Sequence, residues 1–533
     1  MDFSARHGCE GVSHLGKLSA GNVGAPAVLR YTEPIMKNHR RGFVIATLEQ
    51  YAGLLCNFLT VVAVSRFLGP SETGMGVVGL SVAAIVFSLR EFASAEFLIR
   101  IEKVEDRDIQ TAFTFLMSVT LVLAAALFLA RDYFAVTYHD PLLSLFLTVT
   151  IIAAVIESVS LPVVALLRRD MAFGALARIR TAGSVCGAAI TIAMAWWGVG
   201  HMCFAFGSLA AAAVTTAFAA ALYPLGRLLR PSLASIGMAW QFSMYLGSSA
   251  GLSKICETFP QLMLGRFMPA ASVGIYNRAS TLSGLPDRVF LSAIFTVAFP
   301  MLSDQVRAGV DIAQSYVRAL SYISVVYWPA QALLALLAFP AVHLVLGPDW
   351  YGATSIVVIM CLSSMFWFSV VLTYPLLMAL GANRDAFISN LISRVVTAII
   401  LCVAAYHGLM AVALSLFIST PFQMVVSVVY VRKHVAFSYR MLGVELLRSG
   451  FVTLLTLAIP VAMIAAAGTL EVHWGLGFAI GLAGVASWIG AVLITRHPFA
   501  SEITPVLGWA LSRVAGRLGR LGRGRFSTST PAE

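Results

Sequence analysis

The sequence predicts an all-α polytopic membrane protein of about 14 transmembrane helices, built as two six-helix lobes in a parallel pseudo-two-fold repeat plus two extra C-terminal helices. Three observations carry this: the composition, fourteen apolar runs of spanning length, and a repeat at an offset of 200 residues. Of the 533 residues, 59% are hydrophobic and 11% charged, whereas soluble domains hold about 45–50% and about 25%. So few charges cannot cover a soluble surface, but a bilayer removes the need for a charged exterior. The net charge of +11 would suggest nucleic acid in a soluble chain. In a membrane chain it asks which side holds the bases.

The apolar runs lie at 42–65, 74–98, 111–130, 142–167, 181–198, 203–225 and 240–264, then at 273–302, 319–339, 353–380, 387–405, 409–431, 449–468 and 475–495. Each crosses about 30 Å of hydrocarbon at about 1.5 Å per residue. With the N-terminus in the cytoplasm, 28 of the 36 Lys and Arg residues fall in cytoplasmic segments. Only Arg66, Arg131 and Arg266 fall on the other side, and five lie inside spans. This is the positive-inside alternation expected of a correct register.

The boundaries follow. Residues 1–41 are expected as a largely disordered cytoplasmic tail, 42–225 as the first lobe, 240–431 as the second, 449–495 as helices 13 and 14, and 496–533 as a basic cytoplasmic tail. In that last tail Leu507, Leu511, Val514, Leu518 and Leu521 share a helical face apart from Arg513, Arg517 and Arg520. That pattern predicts an interfacial helix on anionic lipid. The first span reads as an uncleaved signal-anchor, and Met36 offers an alternative start. The seven cysteines show no CxxC pair or metal spacing, and six read as small core hydrophobes.

RFLGPSETG begins at Arg66 and RFMPAASVG at Arg266, which brings Gly74 onto Gly274 without a gap. Both segments leave an odd-numbered helix on the same side of the membrane. The two halves therefore share an orientation and are related by an axis along the membrane normal.

The stretch GIYNRASTLSGLPDRVFLSAIFTVAFPMLSDQ, Gly274 to Gln305, resembles the signature of the polysaccharide transporter family. Gly274, Tyr276, Pro286 and Pro300 are among the matching positions, and RFLGPSETG and VLGPDW (Val345 to Trp350) fit the same family. The resemblance implies membership of the multidrug/oligosaccharidyl-lipid/polysaccharide exporter superfamily. It further implies a flippase moving undecaprenyl-diphosphate-linked oligosaccharides across a bacterial inner membrane by alternating access. Lipid-linked oligosaccharide is then the substrate, with membrane lipids, a polysaccharide polymerase and export machinery as partners, and no nucleic acid. No cofactor is implied.

The charges inside the spans bear on cargo. Arg90, Lys254, Arg278, Arg288 and Arg394 lie there with Glu49, Glu91, Glu157, Glu257 and Asp287. A base facing lipid costs roughly 2.5–3.5 kcal/mol, so these bases are expected to face a wet cleft or to pair with acids. Lys254 and Glu257, at i and i+3, can pair with each other. Arg90 and Arg288 each neighbour an acid in sequence, which on a helix points elsewhere. A diphosphate in a low-dielectric cleft needs cations, so Arg90, Lys254, Arg278 and Arg288 are the candidate substrate-binding residues. Glu49, Glu157 and Glu257 are candidates for ion coupling.

Other patterns carry less. GVSHLGKL (Gly11 to Leu18) lacks the Ser or Thr of a phosphate loop, and no strand precedes it. Asp106-Arg107-Asp108 has the form of a glycosyltransferase D-x-D but sits in a short loop. Gly183/Gly187, Gly247/Gly251 and Gly477/Gly481 predict close helix packing. The alternatives are a multidrug or cation antiporter, opposed by the cationic spans, and a membrane sugar polymerase or ligase, opposed by short outer loops and no catalytic set.

Overall fold

The computed structural model describes residues 48–505 except 102–103, 224–229, 292–300, 310 and 470–472. The expected N-terminal tail with GVSHLGKL and Met36, the interfacial helix over residues 507–521, and Pro300 lie outside the described residues. Those described are helical, with no strand among them.

The first half comprises α1 (Leu48–Phe67), α2 (Pro70–Ser88), α3 (Asp106–Thr137), α4 (Leu142–Arg169), α5 (Phe173–Trp196) and α6 (Met202–Leu222). The second comprises α7 (Ile236–Phe267), α8 (Ala270–Ser283), α9 (Ile312–Leu336), α10 (Ala353–Ala379), α11 (Asn383–Ala405) and α12 (Leu409–Arg432). Two helices follow, α13 (Tyr439–Ala467) and α14 (Trp474–Ile494). Twelve spans among the described residues are long and apolar enough to cross a membrane. The other two expected crossings fall on α7, which is 32 residues long but carries Lys254, Glu257 and Arg266, and on the segment beginning with α8.

Local chemistry sets several ends. Pro70 opens α2 at N1, where its missing N–H leaves no intrahelical bond unmade. The Asp106-Arg107-Asp108 triplet opens α3, where Asp108 accepts the Glu105 N–H at 3.0 Å in a capping box and also accepts the Ser235 hydroxyl. Its carboxylates serve the helix end. Gly468, in the left-handed region at φ 71°, closes α13.

The second helix of each half is broken at its acid–base pair. α2 gives way to a 3-10 turn at Leu89–Ala93, which carries Arg90 and Glu91. Beyond α8 a π-turn at Asp287–Leu291 carries Asp287 and Arg288. The repeat places Arg90 and Arg288 two positions out of register, yet each lies where its helix departs from α geometry, in a 3-10 turn in one half and a π-turn in the other.

The halves meet on glycine. A Cβ on Gly74 would overlap the Ala270 carbonyl oxygen, and one on Gly274 would overlap that of Pro70. Ala270 is the repeat partner of Pro70, so the contact is reciprocal. Around it the buried core joins Val61 and Val78 of the first half to Leu264, Val273, Tyr276 and Trp350 of the second. Within the first half, Gly187 would meet Ala211 at 2.9 Å if given a Cβ, so that GxxxG pair packs α5 on α6. At the far end of the bundle Gly247 of α7 lies against the turn after α2, where a Cβ would fall 2.7 Å from Phe92 N. α13 and α14 dock on α9 through Ser324 Oγ donating to Ser449 Oγ (2.8 Å) and Trp488 Nε1 donating to the Val325 carbonyl (2.8 Å).

Candidate functional site

At the Gly74 end, the chamber between the halves is roofed by cross-lobe contacts. Trp350 Nε1 donates to the Ser65 carbonyl at 2.9 Å, and Arg66 Nη2 donates to the carbonyls of His343 (3.3 Å) and Leu344. The counterpart from the first half is Tyr138, whose hydroxyl donates to the Leu262 carbonyl at 3.5 Å. Each half thus sends an aromatic donor, from the segment joining its third and fourth helices, to the other half's first helix.

Below this roof is a cavity of about 620 Å³ lined by residues including Asn57, Lys254, Glu257, Gln261, Asn277 and Arg278. Arg278 is 4% exposed, and its Nε and Nη2 have no hydrogen-bond partner among the described residues. Its guanidinium carbon stands 5.8 Å from the centre of the Trp350 ring, whose π-face is a source of negative potential beside it. A buried cation left short of acceptors is a strong anion seat, because the desolvation cost is already met by the fold. Lys254 Nζ lies 3.4 Å from Glu257 Oε2, so the expected i, i+3 pair forms, yet both remain substantially exposed to the cavity. Across the chamber Ser81 donates to Gln261 at 3.2 Å.

A smaller cavity of about 350 Å³ adjoins it, sharing Leu80, Ala84 and Ala211, and carries Arg90 and Glu157. Arg90 pairs with Glu157 at 3.1 Å and donates to Ser158 Oγ and to the Ala154 and Phe87 carbonyls. Its satisfaction comes from α4, a partner that sequence spacing does not reveal. Glu49 lies 3.7 Å from Arg180. All three glutamates proposed for ion coupling therefore have basic partners.

Three of the four expected cations, Arg90, Lys254 and Arg278, line these adjoining cavities. Arg288 is exposed on its π-turn and lines neither of them. Its neighbour Asp287 accepts from the Tyr327 hydroxyl and, at 3.3 Å, from Gln331 Nε2, which ties the break beyond α8 to α9. Of the family-motif positions, Gly274 is at the lobe contact and Tyr276 is in the shared core. Pro286 lines an apolar groove of about 490 Å³ with Val289, Leu333, Val485 and Trp488, between the region beyond α8 and helices α9, α13 and α14.

The second half has its own chamber of about 600 Å³, separated from the first by α7. Arg394 opens into it with Asp287, Trp367, Tyr374 and Gln423. Gln261, Asn277 and Gln423 line these chambers too, and the charge pattern of the sequence does not single them out. Isolated amides inside apolar runs were the available signal. No group of three or more His, Cys, Asp or Glu side chains suited to a metal occurs among the described residues.

Paired helical lobes closing over a cationic intramembrane chamber define a multi-pass membrane protein of the multidrug/oligosaccharidyl-lipid/polysaccharide exporter fold. The solved lipid II flippase MurJ, in an inward closed conformation, superposes with a TM-score of 0.70 at 12% identity, covering 87% of this chain and 99% of that one. An inward-facing multidrug resistance MATE family transporter gives 0.59 at 14% identity, covering 75% and 98%. The family model described as "Polysaccharide biosynthesis protein" matches residues 63–355, more than half of the chain, and the chain belongs to that family. It is 23% identical over 307 residues to the lipopolysaccharide biosynthesis protein WzxC of Escherichia coli (strain K12), covering 57% of this chain and 62% of that one. It is 23% identical over 345 residues to the succinoglycan biosynthesis transport protein ExoT of Rhizobium meliloti (strain 1021), covering 64% and 69%.

Proposed function

We propose that this protein is a flippase that carries undecaprenyl-diphosphate-linked oligosaccharide repeat units across the bacterial inner membrane for exopolysaccharide, capsule or O-antigen synthesis. The observation that carries the reading is buried Arg278, whose Nε and Nη2 have no hydrogen-bond partner among the described residues, beside Lys254 in the chamber between the lobes. An anionic headgroup supplies the acceptors that the protein withholds, and Arg holds phosphate oxygens in a bidentate fork. The apolar groove lined by Pro286 and Trp488 suits the lipid tail, so head and tail have separate surfaces of matching polarity. The names of the relatives, a lipopolysaccharide and a succinoglycan biosynthesis protein, support a glycan cargo.

In this reading the lobes are 42–225 and 240–431, α13 and α14 fall within 449–495, and 496–533 is a cytoplasmic tail. Both termini lie in the cytoplasm, as the distribution of bases favours, so the roof over Arg278 is the external gate. Transport runs by alternating access, with the gate opening as the cytoplasmic side closes. A polymerase and export machinery are the downstream partners. A multidrug antiporter shares the fold, but its cationic cargo would meet repulsion from Arg278 and Lys254.

The test is deletion of the gene followed by extraction of lipid-linked intermediates. The expected result is accumulation of complete repeat units on their lipid carrier in the cytoplasmic leaflet, reversed by the parent gene. Unchanged intermediates with loss of drug resistance would favour the antiporter, and unchanged intermediates alone would end the flippase reading.

A further inference from the structure

The chamber in the second half has a chemistry unlike that of its neighbour. On α11, Ser389, Ser393 and Thr397 stand at i, i+4 and i+8, with Asn390 and Arg394 on the adjoining row, and all five line this cavity. A helix within a bilayer that turns five polar side chains to one side needs polar matter opposite them. The facing wall supplies only part of it. Gln423 Nε2 donates to Thr397 Oγ1 at 3.0 Å, and Asp287 is engaged with Tyr327 and Gln331. The rest of that wall includes the side chains of Trp367 and Tyr374.

Aromatic side chains beside hydroxyls and amides, with few charges, match a pyranose ring. Its C–H face stacks on an aromatic ring, and its hydroxyls both donate and accept at Ser, Thr, Asn and Gln. A diphosphate would call for more than one base, and among the described residues Arg394 is the one Lys or Arg side chain lining this cavity. A cationic drug would call for acids, and the one carboxylate lining the cavity among the described residues, Asp287, already accepts two hydrogen bonds.

Arg394 adds a selector. Its Nε donates to Asn390 Oδ1 at 2.8 Å, which sets the plane of the guanidinium, and no described carboxylate forms an ion pair with it. A single oriented guanidinium among hydroxyls and amides, with the Asp287 carboxylate already engaged by Tyr327 and Gln331, is complementary to a single carboxylate on a sugar. We propose that this chamber is the glycan subsite and that Arg394 makes it prefer repeat units bearing an acidic sugar. The proposal rests on the flippase reading and deepens it. The diphosphate sits on the Lys254 side of α7 and the sugars on the Phe259 side, two faces of one helix that line the two cavities.

The full chain in lipid nanodiscs is titrated with tetragalacturonate, with neutral galactotetraose and with inorganic pyrophosphate. Tetragalacturonate is expected to bind at least about tenfold more tightly than the neutral tetrasaccharide. Arg394→Gln is expected to erase that difference with pyrophosphate affinity unchanged, and Arg394→Lys to keep part of it. Equal affinities in the parent, no binding of either sugar, or a preference that survives Arg394→Gln would each overturn the proposal. Pyrophosphate binding reports whether Arg394→Gln is folded. If it is not, Ser393→Phe replaces it, and tetragalacturonate binding that persists with the chamber filled overturns the proposal equally. The flippase reading fails in a different experiment, through unchanged lipid-linked intermediates in the deletion strain.

Discussion

Gly74 and Gly274 face each other across the lobe boundary so closely that a Cβ on Gly74 would lie 2.9 Å from Gly274 N, and one on Gly274 3.1 Å from Gly74 N. The two residues are 200 positions apart and occupy the same place in the sequence repeat. The contact is therefore self-complementary, as a pseudo-two-fold axis between α2 and α8 requires. Two backbones approach this closely only where neither residue has a side chain.

Gly274→Leu should wedge α8 away from α2. The overlap is with backbone at Pro70, which cannot swing aside, so the closed arrangement should lose about 1–3 kcal/mol. In the proposed orientation, an impermeant maleimide added outside cells should then label a Ser65→Cys variant, whose site is buried at the cross-lobe contact with Trp350 in the parent. No gain in labelling would mean that the lobes do not part at this contact.

The roof gives a graded series. Trp350→Phe removes the indole N–H donated to Ser65 and should cost about 1 kcal/mol in thermal unfolding of the purified protein. Trp350→Ala also empties a fully buried site and strips the ring beside Arg278, so about 3–5 kcal/mol is expected. Equal effects of the two would deny the indole bond any role.

Arg90 and Glu157 should behave as a unit. Arg90→Gln alone leaves Glu157 without its base, and Glu157→Gln alone leaves Arg90 with only neutral acceptors. Because Glu157 is 45% exposed in its side chain, screening holds the coupling to about 1 kcal/mol in a double-mutant cycle on unfolding. Additive effects would show that the pair is incidental. Glycan export by the same variants reports separately whether Arg90 also meets cargo.

Two histidines outside the spans set the response to acid. Burial holds His201 below the ordinary 6.5, against the opposing pull of Asp140 and Glu72. Burial likewise lowers His497, with Glu445 opposing and Arg448 adding to the shift. The unfolded chain then binds these protons more tightly, so their stabilising contribution is complete above about pH 6.5 and is lost as pH falls below it. The unfolding midpoint should drop over that window, and the double variant His201→Gln, His497→Gln should flatten the slope. An unchanged slope would place the acid sensitivity elsewhere.

Much of the fold was legible in the chain itself. The helix positions are a matter of apolar length, and the lipid they face imposes that length on any sequence. The repeat at Arg66 and Arg266 was legible too, down to the pairing of Gly74 with Gly274. The site was legible only in its cations. Lys254 and Glu257 pair as their spacing implies, because an i, i+3 relation is settled within one helix. Arg90 finds Glu157 on another helix, and Arg278 finds a tryptophan 72 positions away, so no local pattern could assign either.

By itself, then, the sequence determined that this protein lives in a membrane, where its helices lie, and that its two halves repeat. Hydrophobic length and close-packing glycines are properties that one segment carries alone. The tertiary structure alone decided which cations are satisfied and which are left for a ligand. That depends on what each guanidinium meets after packing: Arg90 meets a carboxylate, Arg278 an aromatic face, and Arg394 an amide in a chamber of hydroxyls.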